Sequence, residues 1–207
     1  MEMLATATLT LMTVGTICTF SQAQLKALAA QGSFAQSQSV TRSALDLMAR
    51  ELRMASLDPT NLALPTSVGL TCPGVKQGIV EATPTKLHFR QDLNADGALT
   101  AAGEDVTYDL LAGQIRRSDG AAQPVALVDF VPAGGLALRY FDGSDPPIEL
   151  VPAGSPAALT ATQRDCVEKV RVTLSASMPN PNPNISTPIS SIAESEVAIR
   201  NRSLLNF

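Results

Sequence analysis

An uncharged N-terminal run is the feature that most restricts how this chain can fold. Between Glu2 and Lys26, residues 3–25 carry no charged side chain. A helix of about 23 residues is long enough to cross a hydrocarbon core of about 30 Å. In lipid the backbone must satisfy its own hydrogen bonds, so the run predicts a transmembrane helix that begins beside an acid. A cleaved secretory signal is the alternative, but such a signal needs a basic flank, and this flank is acidic.

Threonine recurs through the run, at Thr6, Thr8, Thr10, Thr13, Thr16 and Thr19. Threonine has only modest helix propensity in water. Its hydroxyl can nevertheless bond the carbonyl one turn back, which satisfies that group inside the helix. A helix therefore stays the prediction for this run.

The helical pattern continues past the uncharged run to about residue 57. Its apolar positions lie three and four residues apart, at Leu45, Met48, Leu52 and Ala55. Asp58 and Pro59 end the pattern, because a residue before proline is driven out of the helical region. The sequence predicts one helix of about 55 residues, with Gly32 as a soft point. Its first half is suited to lipid and its second half to packing on a domain.

Residues 58–207 have the texture of a β-rich domain. Strands are predicted at residues 86–91, 105–111, 113–118, 125–130, 136–142, 166–177 and 196–201. Successive strands follow each other without helices between them, which favours antiparallel hairpins and meanders. Residues 177–191 are rich in proline and asparagine and predict an exposed loop. The predicted fold class is α+β, with a helix in residues 1–57 and an antiparallel β-sheet domain in residues 58–207.

Charge and cysteine content restrict the function. The net charge is −4, and no basic cluster is present that could neutralise phosphates, so nucleic acid is excluded as a partner. Cys18 lies inside the apolar run and is predicted to act as a small apolar residue. In an oxidising compartment Cys72 and Cys166 would form a disulfide closing a loop of about 95 residues, which is worth about 4 kcal/mol. Two unpaired buried thiols are the alternative.

The stretch "DLNADGALTAAGED" offers a candidate calcium loop. Asp92, Asn94 and Asp96 place three oxygen donors on alternate residues before Gly97, as calcium loops do, and Glu104 would close the site. The EF-hand pattern has five residues between the glycine and the closing glutamate, whereas this chain has six. A glycine-turned hairpin rich in Asp and Asn explains the same residues without an ion. Both interpretations stand at this stage.

Catalytic signatures are absent from the sequence. It has no Gly-x-Ser-x-Gly elbow, no His-Glu-x-x-His and no phosphate-binding glycine loop. His88, the one histidine, lies in an alternating strand pattern and is interpreted as a packed or surface residue. Arg116 and Arg117 are interpreted as a solvated strand end, with a small anion contact as the alternative. The sequence therefore predicts a protein that is not an enzyme.

The chain resembles type IV pilins and the pseudopilins of type II secretion. The resemblance is carried by Glu2 at the start of the helix and by the amphipathic stretch "RSALDLMARELRMAS". It is strongest to large minor pilins of the PilW-like group and to J-type pseudopilins. Further stretches that look like this group are "DLNADG", "EDVTYDL", "GQIRRS", "PVALVDFV", "LALRYFD" and "VAIRNR". The resemblance implies a pilin-like fold, and it implies that Met1 lies a few residues inside the mature protein.

By this resemblance, Glu2 would pair with the N-terminal amine of a neighbouring subunit and set the register of assembly. The alternative is an interfacial carboxylate in water. The implied protein is a minor pilin that primes assembly or sits at the filament tip, and a J-type pseudopilin is the alternative. Its partners would be other major and minor pilins, bound through the N-terminal helix, and a tip adhesin.

The resemblance also implies a location. The helix would hold the subunit in the bacterial inner membrane with its head in the periplasm, and the subunit would then join a filament at the cell surface. A second hypothesis is a single-span anchored adhesin or calcium-dependent receptor. A third, a secreted hydrolase with a retained signal anchor, is disfavoured by the missing catalytic motifs.

Overall fold

In a computed structural model, the described residues are 2–66, 72, 77–182 and 185–199. They form two helices, α1 (Glu2–Met54) and α2 (Ala161–Asp165). The strands are β1 (Ile79–Ala82), β2 (Lys86–Arg90), β3 (Asp105–Leu111), β4 (Gln114–Asp119), β5 (Val125–Val128), β6 (Leu136–Phe141), β7 (Glu149–Leu150), β8 (Lys169–Met178) and β9 (Ile189–Ala198). The α+β class with a long N-terminal helix is confirmed.

Helix α1 is unbroken over 53 residues, which makes it about 80 Å long. Gly32 does not interrupt it. The helix ends three residues earlier than predicted, because Ser56 takes a positive φ of 67° and donates its N–H to the Arg90 carbonyl, 3.0 Å away. The predicted apolar face is confirmed, since its four members are buried: Leu45, Met48, Leu52 and Ala55.

The two halves of α1 have different surroundings. Before Ser37, no described side chain of the helix is buried, and from Ser37 onward the helix packs against β8 and β9. About 50 Å of helix therefore projects from the head. Within the described residues, no helix has both the length and the apolar character needed to span a bilayer. The helix is confirmed, and its predicted membrane span is not.

The head contains two antiparallel sheets where the sequence predicted one antiparallel sheet domain. The first is a five-strand meander in the order β1-β2-β3-β4-β5, and the second has the order β7-β6-β8-β9. The predicted meander is confirmed in the first sheet. In the second, β6 pairs with β8 because the chain between them forms only the short β7 and α2.

One hydrophobic core joins the helix to both sheets. Strand β8 contributes alternate side chains, and Val170, Val172 and Leu174 are all completely buried. The first sheet contributes residues of the same kind at the two-residue spacing of a half-buried strand, among them Leu87, Phe89, Val106, Tyr108 and Ile115. Burial of these apolar faces against α1 stabilises the head.

Two predicted strand starts differ from the observed ones by three residues or more. Strand β8 begins at Lys169 and not at residue 166, because residues before it form α2 under a capping box in which Thr160 and Gln163 bond each other's backbone. Strand β9 begins at Ile189, inside the predicted loop, because it pairs with β8 along ten residues. The predicted end of this strand at residue 201 lies outside the described residues.

The predicted disulfide is present. Cys72 and Cys166 are bonded, with their Cα atoms 5.5 Å apart and a sequence separation of 94. The bond ties the segment after α1 to the residue that caps α2. Cys18 is a free, exposed thiol on the projecting part of α1.

Candidate functional site

The projecting part of α1 presents a large apolar surface. Met3 is 89% exposed and Leu11 77%. Other exposed apolar side chains continue along the same segment, namely Leu9, Met12, Val14, Ile17, Phe20, Leu25 and Leu28. Contiguous apolar surface of this kind is typical of a site that binds a protein or a membrane. We call residues 3–28 the projecting surface.

Threonine hydroxyls on this surface are bonded within the helix, as predicted. Thr13, Thr16 and Thr19 each donate to the carbonyl three residues earlier, at 2.9 Å. Thr6 and Thr10 donate to carbonyls in the same way, at 2.9 to 3.0 Å. The side chain of Thr8 lies outside the described residues. Because their protons are used internally, the five described threonines add methyl groups to the surface without unpaired donors.

Glu2, the predicted assembly residue, is the first residue of α1. Its side chain lies outside the described part of the structure. The charge pair with a neighbouring subunit therefore stays a prediction.

Three hydroxyl groups mark the point where α1 meets the head. Ser37 and Ser191 lie with their oxygens 2.7 Å apart, and Thr41 lies 3.1 Å from Ser191. All three residues are buried, with 4% or less of their surface exposed. Small side chains allow helix and strand β9 to approach closely here, and the hydrogen bonds fix their relative position. This cluster was not predicted, since Ser191 lies at least 150 residues after the other two members in sequence.

A second contact fixes the helix against the first sheet. Glu51 on α1 accepts hydrogen bonds from Tyr108 on β3 and from Arg117 on β4, with 3.0 Å between Arg117 and Glu51. Burial, together with Glu51, raises the pKa of Tyr108 above its usual range, so Tyr108 keeps its proton. The expected solvated end at Arg116 and Arg117 was wrong: Arg117 reaches the helix, and Arg116 pairs with Asp109 at 2.6 Å.

His88 is a part-buried strand residue, in agreement with its interpretation. Its Nε2 hydrogen-bonds Asp105, and Arg90 lies 3.2 Å from the same carboxylate. Burial raises the pKa of Asp105, but the hydrogen bonds from His88 and Arg90 outweigh burial and hold it below its ordinary value. The group is a structural ion cluster on the outer face of β2 and β3.

The predicted calcium loop follows β2 and is organised around Asp92. Asp92 is completely buried, and its Oδ2 accepts from the Gly97 N–H at 3.1 Å and from the Thr60 hydroxyl at 3.3 Å. Its Oδ1 is buried without any hydrogen-bond partner. Asn94 and Asp96 are exposed and bond each other, at 2.8 Å.

Glu104, the residue predicted to close the calcium site, accepts hydrogen bonds from the backbone of the loop. It is completely buried, and its carboxylate accepts the N–H groups of Leu93, Asn94 and Ala101 at 3.1, 3.4 and 2.8 Å. Both carboxylate oxygens therefore hold the two ends of the loop together through hydrogen bonds to its backbone. Within the described ranges, no three His, Cys, Asp or Glu side chains are grouped as metal ligands. The four predicted calcium residues lie in one loop, and metal binding by them stays a prediction.

Sequence reasoning missed Thr60, which connects the turn after α1 to this loop. Its hydroxyl lies 3.2 Å from an oxygen of Asp58 and 3.3 Å from one of Asp92. The turn itself was signalled by Asp58 and Pro59, but nothing local in the sequence connects it to a residue 32 positions later.

No family model matches the chain, and no similar sequence is found among curated proteins. A solved structure of a type IV-like pilin from Thermus thermophilus is similar with a TM-score of 0.43 and 14% identity, over 81% of this chain and 97% of that one. At this TM-score the similarity is too low to establish a shared fold or family.

Proposed function

We propose that this protein is a structural subunit of the pilin type, which joins a filament by packing its N-terminal helix among the helices of neighbouring subunits. The observation that carries the proposal is the projecting surface. About 50 Å of helix extends beyond the head, and a lone subunit would leave the apolar side chains of residues 3–28 in water. Helices of other subunits would cover it.

The rest of the architecture supports the same role. A β-rich head is fixed to the second half of α1 by the buried hydroxyl cluster at Ser37 and by the pair of Glu51 with Arg117. The head can therefore be carried rigidly at the end of a packed helix. The Cys72–Cys166 disulfide is compatible with an oxidising compartment such as the periplasm.

The finer assignment rests on the sequence resemblance. We propose a minor pilin that primes assembly or sits at the filament tip, with other major and minor pilins as partners. Storage in the inner membrane before assembly is proposed from the uncharged residues 3–25 alone. A J-type pseudopilin of type II secretion is the alternative, and the two are distinguished by which filament contains the subunit.

A substitution on the projecting surface tests the function. Leu11→Lys places a charge in the proposed helix interface, and since Leu11 is 77% exposed in the single subunit, the head should keep its melting temperature. We expect the variant to disappear from filaments sheared off the cell surface, as measured by immunoblot. Val151→Lys is the matched control, because Val151 is 62% exposed on the head. Normal amounts of Leu11→Lys in the filaments would contradict the proposal.

Glu2→Ala tests the charge pair separately. If Glu2 sets the register through a neighbouring amine, this variant should be stable in the cell but poorly incorporated, and Glu2→Asp should recover part of the incorporation. Equal incorporation of Glu2→Ala and the wild type would leave helix packing intact as a function and remove the role of Glu2.

A further inference from the structure

A buried carboxylate oxygen without a partner is the starting point. Asp92 is completely buried, yet Oδ1 accepts no hydrogen bond. An ionised carboxylate inside a protein is strongly destabilising unless it is paired, hydrogen-bonded or bound to a metal. Oδ2 of the same group is held from both sides, by Gly97 of the loop and by Thr60 of the preceding turn. Oδ1 is therefore the oxygen of this carboxylate that is left buried without a donor.

Asp58 and Asp92 bring two carboxylates to the same hydroxyl. Thr60 has one hydroxyl proton, and oxygens of both carboxylates lie within 3.3 Å of it. Asp58 also accepts the N–H groups of Ala63 and Leu64, at 3.4 and 3.0 Å, so backbone donors meet its charge. The Oδ1 atom of Asp92 has no such donor.

Further oxygens lie on the same loop. Asn94 and Asp96 follow Asp92 at two-residue intervals, and both are exposed. Asn94 Nδ2 donates to Asp96 Oδ2, Asn94 Oδ1 accepts the Asp96 N–H at 3.0 Å, and Asp96 Oδ1 accepts the Ala98 N–H at 2.7 Å. An amide or carboxylate oxygen has two lone pairs, so an oxygen that accepts one N–H can still bind a cation. Glu104 is excluded from the ligand set, because it is completely buried and one of its oxygens already accepts two N–H groups.

We propose that Asp92 Oδ1 binds a calcium ion inside the loop of residues 92–97, with oxygens of Asn94 and Asp96 as further ligands. The donors are carboxylate and amide oxygens, which suit a hard cation, and neither His nor Cys is among them. Calcium tolerates irregular oxygen coordination, whereas magnesium demands a near-ideal octahedron, so the loop should prefer calcium. This site is separate from the projecting surface and does not depend on filament assembly.

Calcium titration of the purified full chain tests the site. After removal of metal with a chelator, we expect titration calorimetry to show one calcium ion bound per chain. The melting temperature of the head should rise with calcium concentration, because calcium binds the folded state. Magnesium should give a much smaller rise at equal concentration. No heat of binding and no rise in melting temperature with millimolar calcium would overturn the proposal.

Variants of the loop locate the site. Asp92→Asn removes the buried charge with little change of shape, and we expect it to weaken calcium binding by about 100-fold, the upper end of the losses caused by perturbing the groups around a metal. Asp129→Asn is the control, since it removes one exposed acid elsewhere in the head and should bind calcium like the wild type. Wild-type affinity in Asp92→Asn would contradict the proposal.

Asp96→Asn gives an independent measurement in case Asp92→Asn fails to fold. Asp96 is exposed, so this variant should fold normally and bind calcium more weakly. If Asp96→Asn bound calcium as tightly as the wild type and the Asp129→Asn control, this result would count against a site in this loop.

Discussion

At the scale of single residues, buried carboxylates determine the shape of the loop after β2. Glu104 is the clearest case, since one side chain accepts three backbone N–H groups. Glu104→Ala would leave these donors buried without a partner, and we expect a loss of about 3 kcal/mol in the free energy of unfolding, measured with urea. Glu104→Gln keeps the size of the side chain and should lose less. An alanine variant as stable as the wild type would show that water replaces the carboxylate.

Asp105 gives a prediction for pH. Its pKa in the folded protein is held below its ordinary value, which applies in the unfolded chain. The stabilisation is therefore fully present above about pH 4 and is lost as the pH falls through the lower, folded-state pKa. We expect Asp105→Asn to be less stable than the wild type at neutral pH and to lose less stability between pH 4 and pH 2. Parallel stability curves for the two proteins would contradict the assignment to Asp105.

At the scale of elements, the end of α1 depends on a glycine. A Cβ added to Gly78 would lie 2.4 Å from the Ser56 Cα and 2.6 Å from its nitrogen, both of which are backbone atoms. Gly78→Ala must therefore displace the helix end or the approach to β1, and we expect it to cost about 1 to 3 kcal/mol by thermal unfolding. Gly32→Ala is the matched control, because nothing lies within 4 Å of its added Cβ and helices favour alanine. Equal stability of Gly78→Ala and the wild type would contradict the close approach.

The sequence predicted best those elements whose apolar residues repeat at a regular local spacing. Helix α1 follows from about fifty residues of consistent pattern, and β3 matches its predicted range fully. The start of β8 could not be placed from alternation, since α2 intervenes and its capping box at Thr160 and Gln163 was overlooked. The start of β9 depends on pairing with β8, which the polar composition of residues 177–191 conceals.

The residues of the candidate sites also divide into those predictable from the local sequence and those that depend on contacts between distant segments. The oxygen donors near Asp92 were identified from their spacing, because calcium loops have a local signature. The burial of Asp92 and the use of Glu104 by backbone donors were not predictable, since both depend on how the turn at Thr60 and the loop fold against each other. The internally bonded threonines of α1 were predictable because each bond is contained within one helical turn.

At the scale of the whole molecule, the disulfide holds together segments that are distant in sequence. Cys72 and Cys166 are separated by 94 residues, and for a loop of this length the chain-entropy model gives about 4 kcal/mol. We expect replacement of both cysteines by serine to lower the free energy of unfolding by about that amount, measured with guanidinium. Cys18→Ser is the control, since Cys18 is exposed and unbonded, and it should leave stability unchanged. A double variant of wild-type stability would mean that the head is held by its core alone.

The internal bonding of the threonines also has a mechanical consequence. From Thr6 to Thr19, the hydroxyl protons of the five described threonines are committed to carbonyls of the same helix. Sliding or turning this segment against a neighbouring helix breaks none of those hydrogen bonds. The five threonine hydroxyls therefore do not fix the position of the segment. In the proposed filament, the alignment of neighbouring helices would then depend on contacts at the two ends of this segment, near Ser37 where the head begins and near the start of α1. A subunit that joins a filament as proposed would move its helix lengthwise into place without breaking any of these hydrogen bonds.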